Sequence, residues 1–243
     1  MEWVPPNKDA SKTRQGRYSV DEAKKANAVR GPDFAAKYLQ GRLIDIGAGR
    51  DLVCPWAERF DIEDGDANQI THYRQPGVYD AVHSSHCLEH MHNSKSALSQ
   101  WWSLVKPGGY LVLVVPDEDL YEQGIWPSIF NPDHKATFRL NKAASWSPVS
   151  CDIKQAVLEL PKAHLISAEI QDVAYDYLLQ KRPGDKATRI RGLWRVVEYG
   201  KKMPFGMAFV RWIQRILFSC GVAIDQTLGE ALAQIQIVAR KDA

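Results

Sequence analysis

One short stretch, residues 43–51, constrains the fold more than any other part of the chain. An apolar run containing Asp45 opens into Gly47-Ala48-Gly49. Such a run predicts a buried parallel strand that ends in a tight turn, because glycine adopts backbone conformations closed to other residues and lets a ligand approach the main chain. The sequence therefore predicts the first strand and loop of an α/β, Rossmann-like, doubly wound sheet.

The residue at position 52 indicates which ligand this turn holds. Dinucleotide-binding loops follow G-x-G-x-x-G/A, whose last small residue lets helix and strand close over a pyrophosphate. Here that residue is Leu52, which argues against NAD or FAD. The remaining Asp-x-Gly-x-Gly pattern resembles motif I of class I S-adenosylmethionine (SAM)-dependent methyltransferases, although Gly-Ala-Gly also ends ordinary strands. The resemblance implies that Gly47, Ala48 and Gly49 lie under the methionine half of SAM and that Asp45 helps to fix its ammonium group.

A second stretch, residues 79–116, carries the same resemblance. A predicted strand ends at Ser85 and is followed by Leu88-Glu89-His90, an amphipathic helix, Lys106-Pro107-Gly108-Gly109 and a fully apolar strand. This order resembles the strand four to strand five signature of methyltransferases related to the ubiquinone- and menaquinone-pathway enzymes, the methyltransferase type 11-like domain. It implies SAM as the cofactor and adds Ser85 to the residues expected to bind it.

The resemblance is weakest between these two stretches, where the chain is short. Family members place a helix, a second strand, another helix and a third strand before a Gly-Asp-Ala that flanks the adenine. Only residues 50–64 precede Gly65-Asp66-Ala67 here, and we expect a short second strand at 59–63. The resemblance implies that Asp61 binds the ribose hydroxyls and that Asp66 and Ala67 lie at the adenine. The alternative is that both carboxylates are solvated turn residues.

The rest of the chain is expected to complete a single domain over residues 1–243. Its parts are a helical arm over 1–40, the SAM-binding core over 41–120, a substrate-covering loop over 121–147 and a helical insertion over 178–228. The later elements are expected to be a helix from Ser147 to about Leu160, a strand over 163–173 and a last strand over 230–241. The resemblance implies a seven-strand sheet whose last strand is antiparallel, shortened after strand 1.

Composition excludes several classes of protein. With 45% hydrophobic residues and a net charge of +2, the 243-residue chain can bury a substantial core and gives no reason to expect a nucleic-acid partner. The four cysteines form no C-x-x-C pair, which argues against a disulfide framework or a cysteine zinc site. No apolar run approaches the roughly 18 residues that span a bilayer. We therefore expect a soluble, cytoplasmic protein.

Residues 181–218 combine many basic side chains with interleaved aromatic ones. Such a surface suits peripheral contact with an anionic membrane or a phosphorylated, lipid-linked acceptor, and it would also suit a nucleic acid. The alternative is a pair of helices whose apolar face packs on the core or on the partner of a homodimer. We favour this alternative, in which the face is formed by Phe209, Ile213, Ile216 and Leu217.

A histidine-rich segment follows the predicted strand over 79–85. His86, Glu89 and His90 would share one side of a helix, a spacing that suits one divalent metal ion. H-x-x-E-H is also an inverzincin zinc-protease pattern, but here it begins at the carboxyl end of a parallel strand. Small-RNA 2′-O-methyltransferases carry a similar E-x-x-E-H and a downstream histidine, which His134 of Asp133-His134-Lys135 matches. The resemblance implies a metal held by His86, Glu89, His90 and His134, with a transition ion favoured over Mg²⁺ because His86 replaces a glutamate.

The same residues also allow chemistry without a metal. Leu-Glu-His recurs in metal-free relatives, where it orients the active-site helix. His86 or His134 would then act as general base, since histidine titrates near neutral pH. Asp117 leaves the carboxyl end of strand five, where open α/β sheets place their ligands, and is a third catalytic candidate.

The sequence thus favours a SAM-dependent methyltransferase that methylates an oxygen. The expected acceptor is a small molecule or glycan, through a hydroxyl of a saccharide or of a glycan or secondary-metabolite precursor, because the predicted mouth is polar and histidine-rich. The alternatives are an RNA 2′-O-methyltransferase with a metal site, a non-catalytic methyltransferase-like scaffold and, last, a zinc hydrolase.

Overall fold

A six-stranded sheet lies at the centre of the computed structural model, which describes residues 22–188 and 206–243. The strands of this part of the chain are β1 (Leu43–Ile46), β2 (Glu58–Phe60), β3 (Tyr79–Ser85), β4 (Val105–Pro116), β5 (Thr137–Arg139), β6 (Ser150–Asp152), β7 (Ala163–Gln171) and β8 (Gln234–Lys241). The main sheet has the order β2-β1-β3-β4-β8-β7, and β5 and β6 form a separate two-stranded sheet. β1 to β4 are parallel, whereas β8 runs antiparallel to both β4 and β7. The antiparallel last strand is therefore confirmed.

Helices cover the sheet on both sides. The helices of the described residues are α1 (Glu22–Val29), α2 (Phe34–Tyr38), α3 (Ser94–Leu104), α4 (Ile153–Leu158) and α5 (Gly206–Ser219). Short 3-10 turns occur at Ala67–His72, Leu88–His90, Tyr177–Leu179 and Gln226–Leu228, and a π-helical turn at Glu118–Glu122. Among these helices, none combines the length and the apolar character needed to cross a bilayer.

The core has two layers because successive residues of a strand point to opposite faces of the sheet. One layer packs the sheet against α3, whose Trp101 and Trp102 are almost fully buried. Their indole nitrogens donate to the carbonyls of Ala67 and Pro161 at 2.8 and 2.9 Å. The other layer is smaller and packs Leu43 and its neighbours against α2. The tryptophans are therefore structural.

The sheet has six strands in the described residues, one fewer than the seven expected. After β2 the chain does not form a further strand before β3. Instead the Asp66 side chain accepts a hydrogen bond from the backbone N–H of Asn68 and starts the 3-10 turn over Ala67–His72. Ile70 in that turn is fully buried and belongs to the larger core layer. The compressed linker is thus too short for a strand and a crossover, and a single turn closes the core.

The second half of the chain differs from expectation at one helix. A helix was expected from Ser147, but residues 150–152 pair with β5 and α4 begins only at Ile153, where Asp152 caps it through the N–H of Gln155. β7 begins at Ala163 as expected and ends at Gln171, two residues before the expected end, and β8 begins at Gln234, four residues later than expected. Extended pairing therefore replaces the first turns of the expected helix.

The expectations for the two chain segments outside the described residues rest on sequence alone. They concern the arm before residue 22 and the basic part of the insertion over 189–205. Of the insertion, α5 is described, and its Val210 is buried. Phe209, Trp212 and Ile216 on α5 are 53%, 59% and 43% exposed, so the face that holds them does not lie in the core of this chain.

Candidate functional site

The carboxyl ends of β1, β2 and β3 open onto one cavity of about 450 Å³. This is the edge where an open parallel sheet binds its ligands, and the volume lies within the range of small-molecule sites. The cavity is lined by the glycine loop, the end of β2, the 3-10 turn after it, the segment after β3 and two residues of the following loop. These are Gly47, Phe60, Asp61, Ile62, Gly65, Asp66, Ala67, Asn68, His86, Cys87, His90, Met91, His92, Asp133 and Lys135.

Gly47 makes the floor of the cavity and has no room for a side chain. Its φ is +75°, and a Cβ at this position would lie 2.5 Å from the Cβ of Cys87 and 2.6 Å from its sulfur. Burial raises the pKa of the Cys87 thiol, which therefore packs as a neutral group beneath the loop. The loop and the segment after β3 are thus in direct contact only because residue 47 is glycine.

Asp61 closes the same loop from the side of β2. Its Oδ2 accepts a hydrogen bond from the N–H of Gly49 at 2.7 Å, and its Oδ1 accepts one from the N–H of Ile62 at 2.7 Å. The carboxylate lines the cavity, as the sequence predicts for a ribose-binding residue. Asp66 and Ala67 also line the cavity, although Oδ1 of Asp66 is already bonded to Asn68.

Asp45 lies behind the loop and does not face the cavity. It is 2% exposed; Oδ1 lies 2.6 Å from Nδ1 of His83, and Oδ2 accepts a hydrogen bond from the N–H of Val53 at 2.7 Å. Ala48, Gly49 and Ser85 are likewise not among the lining residues. Of the residues predicted to bind the cofactor, the structure therefore brings Gly47, Asp61, Asp66 and Ala67 together at the cavity.

Glu89 is the centre of the histidine-rich segment and is fully buried. Its Oε1 lies 3.6 Å from Nδ1 of His86, 3.9 Å from Nε2 of His90 and 4.0 Å from Nε2 of His134. Burial by itself would raise the pKa of Glu89, but the surrounding imidazoles lower it to about 2. The structure thus places His86, His90 and His134, three of the four predicted metal ligands, around the carboxylate of the fourth, Glu89.

The way these residues come together differs from expectation. His86 has a φ of +51°, and only Leu88–His90 form a 3-10 turn, so the three residues do not share the side of one helix. His134 arrives from the segment after β4, where the N–H groups of Lys135 and Ala136 donate to the Glu89 carbonyl at 2.7 and 3.3 Å. Donor atoms of Glu89, His90 and His134 lie within 4.8 Å of one another. These three residues are the candidate metal ligands of the described chain, and His86 lies to their side.

Asp117 is placed less favourably for catalysis. It is 5% exposed, and its Oδ1 accepts hydrogen bonds from the N–H groups of Asp119 and Leu120 at 2.9 and 3.0 Å. Burial raises the pKa of Asp117 to about 6. It is not among the residues that line the cavity. Its contacts are those of a cap for the π-helical turn at Glu118–Glu122.

Comparisons with known proteins agree with this architecture. A family model described as "Methyltransferase domain" matches residues 17–146, more than half of the chain. The chain belongs to the methyltransferase domain family. It is a class I SAM-dependent methyltransferase, which confirms the resemblance carried by residues 41–120.

Two solved structures of methyltransferases were compared with the fold of this methyltransferase. A chain from the complex between the Haloferax volcanii Trm112 methyltransferase activator and a methyltransferase is 11% identical, with a TM-score of 0.51, over 99% of this chain and 98% of the other. A SAM-dependent methyltransferase from Archaeoglobus fulgidus is 18% identical, with a TM-score of 0.48, over 97% of this chain and 100% of the other. The comparison with curated proteins found no match.

The cofactor of this methyltransferase is SAM. When bound, its sulfonium supplies an activated methyl group. The cavity fits such a nucleoside, because it has a floor without side chains at Gly47 and a carboxylate at the end of β2 in Asp61. Asp61, Asp66 and Ala67 would hold the nucleoside part, and the main chain of Gly47 would lie beneath the rest.

The sequence did not predict two polar residues that contact the histidines of the candidate site. Gln234 on β8 accepts a hydrogen bond from His86 Nε2 at 2.9 Å and donates to Gln171 at 2.7 Å. A signal for it existed, since Gln234 and Gln236 are two polar residues on one face of an otherwise apolar strand. Glu122, whose Oε1 lies 2.6 Å from Nδ1 of His134, stands in a run of acidic residues that gives no sign of burial.

Proposed function

We propose that this methyltransferase transfers the methyl group of SAM to a hydroxyl oxygen of a sugar, within a saccharide or a glycan or secondary-metabolite precursor. The observation that carries the proposal is that His86 and His90 line the same cavity as the cofactor-binding loop while each turns a ring nitrogen to the buried Glu89. In this proposal, imidazole and carboxylate groups would stand beside the methyl group of a SAM molecule bound in the cavity.

The chemistry of the acceptor supports this choice. Displacement at a methyl carbon requires a nucleophile in line with the leaving sulfur, and positioning supplies much of the acceleration. A neutral hydroxyl is a weak nucleophile, so a hydrogen-bond acceptor must take its proton as the oxygen–carbon bond forms. His86 can fill that role at the cavity wall, and the proton would remain on its imidazole beside Glu89.

The wall beyond His86 suits a polyhydroxylated molecule. Asp133 and Lys135 line the cavity together with His90 and His92. These side chains offer both hydrogen-bond donors and acceptors, which sugar hydroxyls require. The Lys135 ammonium donates to the His90 carbonyl at 2.7 Å, so the segment that carries it is joined to the segment after β3. The acceptor would therefore be held between two segments that the main-chain bonds to Glu89 also connect.

Two hydrogen bonds define the position of His86. Gln234 holds Nε2, and the His86 backbone N–H donates to the Val114 carbonyl at 3.0 Å. The left-handed backbone at His86 directs the chain away from the strand direction. The imidazole is therefore fixed by β4 and β8, which are interior strands of the sheet.

The proposal is tested by supplying the purified protein with SAM that carries an isotope-labelled methyl group and a cell extract as the source of acceptors. Labelled products are then separated by mass spectrometry, and the position of the label is found by fragmentation. A label on a sugar hydroxyl supports the proposal. A label on nitrogen, carbon or sulfur, or a label only on the ribose of RNA, contradicts it. Extract incubated with the Gly47→Val variant serves as the control without cofactor binding.

A further inference from the structure

The carboxylate of Glu89 lacks the donors that a buried charge requires. The residue is fully buried, and neither of its oxygens has a hydrogen-bond partner. Buried carboxylates are ordinarily hydrogen-bonded, paired with a cation or bound to a metal. The ring nitrogens around Oε1 lie at 3.6 to 4.0 Å, beyond hydrogen-bond distance. Three imidazoles therefore surround the Glu89 carboxylate without forming hydrogen bonds to it.

The outer partners of the histidines decide which ring nitrogen carries the hydrogen. Nδ1 of His134 lies 2.6 Å from Oε1 of Glu122, and Nδ1 of His90 lies 3.3 Å from the carbonyl and 3.3 Å from the carboxylate of Asp133. Both partners are acceptors, so we assign the N–H to Nδ1 in each ring. In the neutral form, Nε2 of His90 and of His134 then presents a lone pair toward Glu89.

This arrangement directs the lone pairs of three side chains toward one point. Two imidazole nitrogens and a carboxylate oxygen meet there, and their donor atoms lie within 4.8 Å of one another. Ligands bound to Zn²⁺ at about 2.1 Å with tetrahedral geometry are separated by about 3.4 Å. The measured separations of 3.9 and 4.0 Å from Oε1 to the two Nε2 atoms are close to this value. A small shift of side chains would complete a ligand set.

We propose that Glu89, His90 and His134 bind one divalent transition-metal ion through Oε1, Nε2 and Nε2. Two imidazoles and one carboxylate suit Zn²⁺, Co²⁺ or Fe²⁺ better than Mg²⁺, which prefers oxygen ligands. Glu122 and Asp133 complete the site as the outer partners that fix the imidazole tautomers, an arrangement common to metal-ligating histidines. His90 lines the cofactor cavity, so the ion would lie at the wall of that cavity.

The site goes beyond the proposed function, because binding of the ion needs neither SAM nor acceptor. It joins segments that are distant in sequence. Glu89 and His90 follow β3, whereas His134 and Glu122 belong to the segment after β4. An ion at this place would therefore also fasten the 121–147 segment onto the sheet.

The test uses the full chain, freed of metal by a chelator, and titrates it with Co²⁺ alone. We expect one Co²⁺ per chain, with visible absorption bands of a low-coordinate nitrogen and oxygen site, and displacement of the bands by Zn²⁺. Glu89→Gln and His134→Ala should each lower the affinity at least 100-fold. Glu122→Gln, which loses only the outer carboxylate, should lower it by about 10- to 100-fold.

His164→Ala serves as the matched control, because His164 is an exposed histidine of β7 and should leave the affinity unchanged. Circular dichroism and thermal unfolding check that each variant is folded. The wild-type protein decides the matter even if a ligand variant fails to fold: absence of stoichiometric Co²⁺ binding overturns the proposal. Equal affinity of wild type, folded Glu89→Gln and folded His134→Ala would also overturn it, since the ion would then bind elsewhere.

Discussion

Nδ1 of His83 lies 2.6 Å from Oδ1 of Asp45, and the two side chains are only 1% and 2% exposed. On the other side of the ring, Nε2 of His83 lies 3.3 Å from the guanidinium of Arg30, which also donates to Gln236 at 2.8 Å. A neutral His83 satisfies both neighbours, donating to Asp45 and accepting from Arg30. The aspartate of motif I is thus held from behind by a buried histidine, which in turn contacts Arg30 at the end of α1.

The buried His83 predicts that stability falls in mild acid. Burial lowers the pKa of His83 below its ordinary value, with Asp45 opposing and Arg30 adding to the shift. The unfolded chain therefore binds a proton near pH 6.5 that the folded chain does not. Stability is fully present above that pH and falls by up to about 1.4 kcal/mol per pH unit below it. Thermal unfolding at pH 7.5, 6.5 and 5.5 measures the change.

The matched variant for this effect is His83→Gln. Glutamine offers a donor and an acceptor but does not titrate, so we expect a lower stability at pH 7.5 and a shallower loss between pH 6.5 and 5.5. The control is His72→Gln, because His72 is an exposed histidine at the end of the 3-10 turn over Ala67–His72. The stability of this variant should depend on pH as that of wild type does. Identical pH dependence of wild type and His83→Gln would show that another group causes the acid sensitivity.

Gly47 and Gly49 provide a second comparison, because both have positive φ but only one lacks space. A Cβ at Gly47 meets Cys87, whereas one at Gly49 meets no atom within 4 Å. We expect Gly49→Ala to cost about 1 kcal/mol of backbone strain. Gly47→Ala should cost about 3 kcal/mol, since overpacking adds to the strain, and should lower the SAM affinity at least tenfold. Urea unfolding and calorimetric titration with SAM measure both quantities. Equal effects of the two substitutions would be inconsistent with the contact to Cys87.

Local patterns were enough to predict the part of the fold that surrounds the glycine loop. The apolar runs predicted β1, β3 and β4, and the amphipathic pattern predicted the helix α3 between β3 and β4. His83 stands inside the predicted strand over 79–85, and in the structure it is 1% exposed. The sequence shows that the chain between the glycine loop and Gly65 is short, but not that a 3-10 turn follows β2, because the burial of Ile70 in that turn depends on packing rather than on local sequence.

The candidate site was predictable to the extent that a resemblance linked residues distant in the chain. His134 was placed with Glu89 and His90 on that ground, and the structure brings them together. Periodicity cannot show that Glu122 is buried, because β5 and the loop before it cover it only in three dimensions. Asp45 illustrates the opposite case. Its place in the motif is as predicted, but its two oxygens are taken by His83 and Val53.

Asp61 should matter to the cofactor through the shape of the loop as well as through the ligand. Its Oδ2 holds the Gly49 N–H, and a hydrogen bond to a charged group is worth about 1.5–3 kcal/mol. Asp61→Ala should therefore weaken SAM binding by roughly 10- to 100-fold. Glu63→Ala is the control, because Glu63 is exposed and pairs with the same Arg59. Calorimetric titration should show no change for Glu63→Ala; the assignment of Asp61 fails if the two variants behave alike.

His86 should affect methyl transfer far more than cofactor binding. The substitution His86→Asn is the appropriate one, because asparagine tolerates the left-handed backbone at this position while removing the imidazole. Loss of a group that accepts the hydroxyl proton lowers kcat by about 10²–10⁴-fold. The SAM affinity should change by no more than a few fold, since the contacts of Gly47 and Asp61 remain. Once an acceptor is identified, initial rates over a range of SAM and acceptor concentrations measure kcat, and calorimetry measures SAM binding.

Two further variants separate proton transfer from support of the cavity. Gln234→Leu, which removes the hydrogen-bond partner of His86 Nε2, should give an intermediate loss of kcat, whereas His164→Ala should give none. Parallel losses of kcat and SAM affinity in His86→Asn would mean that the residue supports the cavity and takes no part in proton transfer.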